Sequence, residues 1–256
     1  MSVEAKEHLN RVLPISKFDF GKSFSAGFDL WKRGFWAFFG FGILYMSMTG
    51  VAGTIPYVGT VITNLILAPI LTGGAYLYCR NLRRDGMAQF ESFFTLFSSP
   101  TNLILAYFIY ALVAILFCLP FFFSVGVEGY SIWGTAQMMN YFEFFDYRKL
   151  FLLLPIFFGV ILFSYVVHFV VFYKLSAVDA VTYSVKFCSR HYFIILLFFI
   201  AVYFVAMLGV VGLFFGIFFT FNIIYPMSFE SFRLLTDLND FESRDERQVV
   251  IDHLID

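Results

Sequence analysis

The chain has 256 residues, 60% of them hydrophobic and 22% aromatic, with only 14% charged and a mean hydropathy of +0.81. A soluble domain is about 45–50% apolar and about 25% charged, so this composition excludes an ordinary water-soluble fold, which needs a polar surface. A formal net charge of −1 offers no basic excess for nucleic acid, and no nucleic-acid partner is expected.

The N-terminal stretch is charged and interrupted, and the first long apolar run begins only at Gly34, which argues against a cleaved signal peptide. Before it, Phe20, Phe24, Phe28 and Trp31 fall at helical spacing, with Lys22, Asp29 and Lys32 elsewhere on the wheel. Phe90, Phe93, Phe94 and Phe97 form a second such stripe; Val178, Val181, Val185 and Cys188, beside Asp179, Lys186 and Arg190, form a third. All three segments are too short to span a bilayer. They are predicted as amphipathic helices in the headgroup plane, serving as lipid sensors or docking elements or, more simply, as braces that orient the spans.

Charge-free intervals locate the spans, each of which needs about 20 apolar residues. No Asp, Glu, Lys or Arg lies between Arg33 and Arg80, room for two helices with a tight turn at Thr54-Ile55-Pro56. The interval from Ser92 to Val127 holds one span, near Thr101 to Val125, and Leu150 to Tyr173 holds another. His191 to Phe229 again holds two, turning near Gly209 to Gly212. The expected fold is therefore an all-α integral membrane protein with about six transmembrane helices, each satisfying its backbone internally. The apolar runs are too long and too continuous for barrel strands.

Lys and Arg set the expected orientation. Lys6, Arg11, Lys17, Lys22, Lys32 and Arg33 precede the first span; Arg80, Arg83 and Arg84 follow the second; Lys174, Lys186 and Arg190 follow the fourth; Arg233, Arg244 and Arg247 lie in the tail. The opposite side has only Arg148 and Lys149, among Glu128, Glu143 and Asp146. The positive-inside rule then places both termini in the cytoplasm. The tail, 236–256, reads as polar and solubilising, or as a short partner-binding helix around Val250 and Leu254.

Sliding the chain on itself by 157 residues aligns the first helical pair with the last: Arg33 meets Arg190, Phe41 meets Phe198, Gly59 meets Gly216, Thr63 meets Thr220 and Pro69 meets Pro226. The amphipathic stripes align too, Phe24 with Val181 and Phe28 with Val185. This predicts a parallel internal repeat, with 19–83 as the first unit, 84–175 as a middle helical pair with its amphipathic segment, and 176–235 as the second unit. Gly212, Gly216 and Thr220, and the shorter Gly59 and Thr63, are small-residue ridges that let helices approach closely, so the second and sixth spans are expected to pack together or play matching roles. Pro69 and Pro226 should kink their helices and free a carbonyl. Asn64 and Asn222 lie within a turn of those carbonyls, as donors or as the lining of a polar path.

The runs Ile55-Pro56-Tyr57-Val58-Gly59 and Leu67-Ala68-Pro69-Ile70-Leu71-Thr72-Gly73-Gly74, then Arg84-Asp85-Gly86 before Phe90-Glu91-Ser92-Phe93-Phe94, resemble a group of uncharacterised bacterial inner-membrane proteins. Ser184, Lys186, Arg190-His191-Tyr192 and Tyr225-Pro226 resemble that group's closing pair, and the likeness runs from about Phe20 to Leu235. It implies a six-helix fold in a bacterial inner membrane and no particular activity. The chain is also loosely similar to the membrane domains that accompany glycerophosphodiester phosphodiesterases, without their catalytic domain.

Chemistry-bearing residues are few. His168, in the fourth span, is the one ionisable side chain well inside an apolar run, and such residues are functional candidates by default. It is either a relay or ligand group or, more simply, a hydrogen-bonding member of the bundle. Glu128, Glu143 and Asp146 match no compact calcium loop, and no phosphate-binding, zinc-protease, hydrolase or dinucleotide motif occurs. Cys79, Cys118 and Cys188 lack metal spacing and read as small hydrophobes; no metal or cofactor is expected. The favoured reading is a non-enzymatic accessory or scaffold protein, acting through membrane lipids, a membrane protein partner or a second copy of itself. The alternative is a transporter or channel for a small solute or lipid, with its site between the second and sixth spans at Asn64, Asn222, Thr63, Thr220 and His168. An intramembrane enzyme would rest on His168 alone.

Overall fold

The computed structural model describes residues 2–55, 58–129, 159–211 and 220–243, and every regular element among them is helical. In chain order these are α1 (Ser2–Val12), α2 (Phe20–Arg33), α3 (Phe35–Gly53), α4 (Val58–Asp85), a 3-10 helix (Phe90–Ser98), α5 (Thr101–Gly129), α6 (Gly159–Tyr173), α7 (Ala177–Arg190), α8 (Tyr192–Val211) and α9 (Ile224–Thr236). Phe35–Gly53, Val58–Asp85 and Tyr192–Gly209 are each long and apolar enough to cross a membrane. The 3-10 helix and the start of α5 pass the same test together, bent by 83°. Trp36 on α3 and Phe193 and Phe204 on α8 stay exposed, an apolar belt that water would penalise and lipid would not.

The corners follow from local chemistry. Asp19 caps α2 by accepting the Lys22 N–H at 2.9 Å. Gly34 ends α2, and α3 starts at the next residue. A Cβ at Gly34 would lie 2.8 Å from the Phe38 ring and 2.9 Å from Leu82, so this corner takes glycine. Ser176 caps α7 through the Asp179 N–H at 3.3 Å, and α7 breaks at His191 before α8.

Each amphipathic segment packs along another helix rather than lying free. Helix α2 runs along α9, the 3-10 helix along α4, and α7 along α6. Contact is backbone-close in each case. A Cβ on Gly27 would sit 2.7 Å from Met227 Cα, and one on Gly74 would strike the Phe93 carbonyl. Ser184 Oγ donates to the Leu162 carbonyl at 2.7 Å and accepts the Tyr165 N–H at 3.3 Å, so α7 satisfies the backbone where α6 loses its regular turn at 163–165.

The stripes expected to face inward are accordingly rotated. On α2 the buried residues are Ser23, Gly27 and Leu30, while Phe28 is exposed. On α7 they include Ala180, Ser184 and Phe187, while Val178 is exposed and Val181 and Val185 are half-buried. Close helix approach selects small side chains for the seam and leaves the bulky ones at its flanks. In the 3-10 helix only Phe93 is wholly buried, stacked between Phe41 at 4.2 Å and Tyr78 at 4.4 Å.

The prolines act differently from simple kinks. Before Pro69 the chain widens into a π turn, Ile62–Leu67, in which the Ala68 N–H reaches the Thr63 carbonyl. Before Pro226 it tightens into a 3-10 turn, Phe221–Ile223.

Helix α1 closes the charged end of the bundle. Lys6 pairs with Asp179 at 2.8 Å, Asn10 accepts the Tyr183 hydroxyl at 3.0 Å, His8 Nε2 lies 3.1 Å from the Thr236 carbonyl, and Arg190 donates to the Pro14 carbonyl at 2.6 Å. Beyond α9, residues 238–243 continue as packed helix, with Leu238 and Phe241 buried, so the tail begins docked rather than frayed.

Candidate functional site

Three helices, α4, α6 and α9, meet at a buried polar cluster to which all three contribute. His168 of α6 is fully buried and lies face to face with Tyr76 of α4, ring centroids 3.8 Å apart. Its Nε2 is 3.4 Å from Ser228 Oγ of α9, and the Tyr76 hydroxyl donates to the same Oγ at 3.5 Å. One turn on, the Tyr165 and Ser231 hydroxyls lie 2.8 Å apart. Phe232 flanks the imidazole at 4.7 Å and Tyr165 meets it edge-on at 5.5 Å. His168 Nδ1 has no hydrogen-bond partner among the described residues.

A small cleft of about 160 Å³ adjoins this cluster between α4, α5 and α6, lined by Thr72, Tyr76, Tyr107, Tyr110 and Ser164 among others.

A hydroxyl beside an imidazole has the makings of a nucleophile and its base, but such a pair also needs a group that orients the imidazole and an opening to substrate. Here the orienting position at Nδ1 is unfilled among the described residues, and Ser228 and His168 are both buried against aromatic rings. What the cluster supplies is directional bonding across three apolar helices. Inside lipid such polar contacts fix register at modest energy, about 0.6 kcal/mol on average.

The residues singled out from the sequence scatter around this centre. Asn64 is exposed and donates to the Thr60 carbonyl of its own helix at 2.8 Å, rather than to a carbonyl freed by Pro69. Asn222 is buried with its amide at Gly42 of α3, where any side chain would collide with it. Thr63 Oγ1 is buried without a hydrogen-bond partner among the described residues. Thr220 donates to the Ala206 carbonyl of α8 at 2.5 Å. Gly59 lets α4 approach the Ala52 carbonyl of α3. Thus Gly59 and Thr220 serve the hairpins between sequence neighbours. Helices α4 and α9 do pack together, but farther along, at Tyr76 against Ser228 and Tyr225. Pro69 and Pro226 are both buried just after their irregular turns. Gly212 and Gly216 lie outside the described residues, as do Glu143 and Asp146. Of the five candidate polar residues, only His168 belongs to the cluster.

Sequence reasoning missed Tyr76 and Ser228, which look ordinary among so many aromatic and small residues. It also passed over Glu230, the first charge after the long neutral interval that ends at Phe229. Glu230 is fully buried and holds Arg233, three residues on, at 2.6 Å, with Arg83 of α4 at 3.5 Å. An acid followed three residues later by a base at a span's end was the available signal.

No family model matches the chain, and no curated protein and no solved structure is significantly similar to it.

Proposed function

We propose that this chain is a six-span scaffold or accessory protein of a bacterial inner membrane, acting through contacts with lipid or with a membrane protein rather than by catalysis or transport. The observation that carries the reading is the direct packing of α4 against α9 among the described residues. Tyr76, Tyr225, Ser228 and His168 occupy by direct packing the place where a transport path between the second and sixth spans would run. The Lys and Arg bias puts the end closed by α1 in the cytoplasm.

The reading includes a repeat. At the 157-residue offset the buried faces of α2 and α7 coincide, Ser23 with Ala180, Gly27 with Ser184 and Leu30 with Phe187, and the π and 3-10 turns before the prolines overlap. The middle pair reads as a third unit of the same kind: amphipathic segment, sharp corner, two spans. Each amphipathic segment packs on the second span of the unit before it, with α2 on α9 closing the ring. A frame built this way is braced at one face and presents the rest of its surface to neighbours.

The test is extraction of the full chain at native expression into lipid particles, mass spectrometry of what stays bound, and a flux assay in vesicles. A protein or lipid retained in fixed stoichiometry, without flux, is the expected result. Solute-specific flux abolished by Asn64→Leu with Asn222→Leu would replace this reading with the transport one.

A further inference from the structure

Apart from the buried cluster, the charged end holds a cleft of about 290 Å³ between the end of α4 and the end of α9. Arg80, Arg83 and Arg84 line it from α4, Arg233 lines it from α9, and Phe229 and Leu238 supply apolar wall. The spacing of 80, 83 and 84 puts three guanidiniums on one helix face, and Arg233 faces them across the cleft.

Their positions are built. Glu230, with no exposure, binds Arg233 at 2.6 Å and lies 3.5 Å from Arg83; Glu242 holds Arg80 at 2.7 Å, and Asp85 holds Arg84 at 3.0 Å. Each guanidinium carries five N–H donors in a fixed fork, more than one carboxylate can use. Arg83 and Arg233 share the single Glu230 carboxylate, so these two forks converge with donor capacity left over. Arg233 is only 9% exposed at the floor, while Arg83 and Arg84 are 37% and 48% exposed at the mouth.

We infer that this cleft binds a phosphate group, with Arg83 and Arg233 as its principal donors and Phe229 and Leu238 against the organic part of the ligand. Planar forks recognise phosphate bidentately, which single ammonium groups do not. The cleft lies at the end of a helix of spanning length, the depth of a lipid headgroup, so the phosphate comes either from a phospholipid or from free solute. Glu242 is the built-in competitor, since it occupies Arg80. The inference does not depend on the scaffold reading; a transporter could carry the same site.

The experiment titrates the full chain in neutral detergent with dioctanoyl phosphatidate, with sodium phosphate, and with sodium chloride at matched ionic strength, following thermal unfolding. Saturable stabilisation by phosphatidate alone assigns a lipid headgroup; equal stabilisation by phosphate assigns the free anion. Either supports the site. Arg83→Gln with Arg84→Gln, at the exposed mouth, should weaken binding about tenfold or more. Glu242→Gln, which releases Arg80, should tighten it about threefold, an effect misfolding cannot imitate. No saturable response beyond chloride, or responses that neither set of substitutions moves, would overturn the assignment.

Discussion

Helix α4 and the entry to α9 carry the same punctuation, an asparagine a few residues before a proline, and put it to opposite use. In α4 the turn before Pro69 widens, Asn64 turns back on its own helix, and the segment stays partly exposed. In α9 the turn before Pro226 tightens, Asn222 is buried at Gly42, and almost every residue from Tyr225 to Thr236 is buried. A shared sequence device fixes where the backbone departs from the α register. What surrounds it fixes the direction of the departure and whether the amide works within one helix or between two.

The comparison can be broken most severely at the buried end of α9. Glu230→Gln leaves Arg233 and Arg83 without their shared carboxylate and should cost about 3–5 kcal/mol of stability, the usual loss when one partner of a buried ion pair is removed. Glu242→Gln, at a partly exposed pair, should cost far less. Thermal unfolding of the two variants in one detergent measures the difference.

The seams come next. Gly27→Ala should push α2 off α9, and Gly74→Ala should push the 3-10 helix off α4, each costing about 1–3 kcal/mol through overpacking against backbone. Similar losses at both seams would support equivalent roles for the two braces. The asparagines separate the helices more finely. Asn222→Ala should cost about 1–3 kcal/mol as a buried polar contact is lost, whereas Asn64→Ala should stay within about 0.5 kcal/mol. Equal effects would remove the distinction between them.

The smallest effect concerns α1. Hydrogen bonds from Lys6 and Ser176 hold the Asp179 carboxyl below the usual carboxylate range, so the folded state takes up a proton less readily than the unfolded chain. The stabilisation is complete above the unfolded value of about 3.9 and is lost as pH falls through the lower folded one. Lys6→Gln should therefore lower stability near neutral pH by about 0.5 kcal/mol or less after solvent screening, and the two unfolding curves should converge in acid.

Much of the architecture was legible from composition. Charge-free runs located α3, α4 and α8, two of them starting at Gly34 and His191, because hydrocarbon imposes its demand residue by residue. The seams were not legible. A helical wheel ranks residues by hydrophobicity, so it selected Phe28 and Val178, while close packing selected Gly27 and Ser184. In a membrane the apolar stripe of a brace can face lipid, so side-chain size rather than hydrophobicity says which side meets protein. The buried cluster was legible only at His168. Tyr76 and Ser228 acquire meaning from the meeting of three helices far apart in sequence, which no local pattern records. The docking of α1 was hidden for the same reason, since its charged residues read as a solvated end until Asp179 and the Thr236 carbonyl are placed beside them.

The central claim is that the interface between α4 and α9 is closed at Ser228. Ser228→Cys, in a chain with Cys79, Cys118 and Cys188 replaced by serine, tests it with a water-soluble maleimide added from either side of sealed vesicles. The account predicts no labelling until the protein is unfolded, with a cysteine at exposed Ser243 labelled as control. Rapid labelling of Ser228→Cys in the folded protein would reveal an aqueous path between the second and sixth spans and contradict the closed frame.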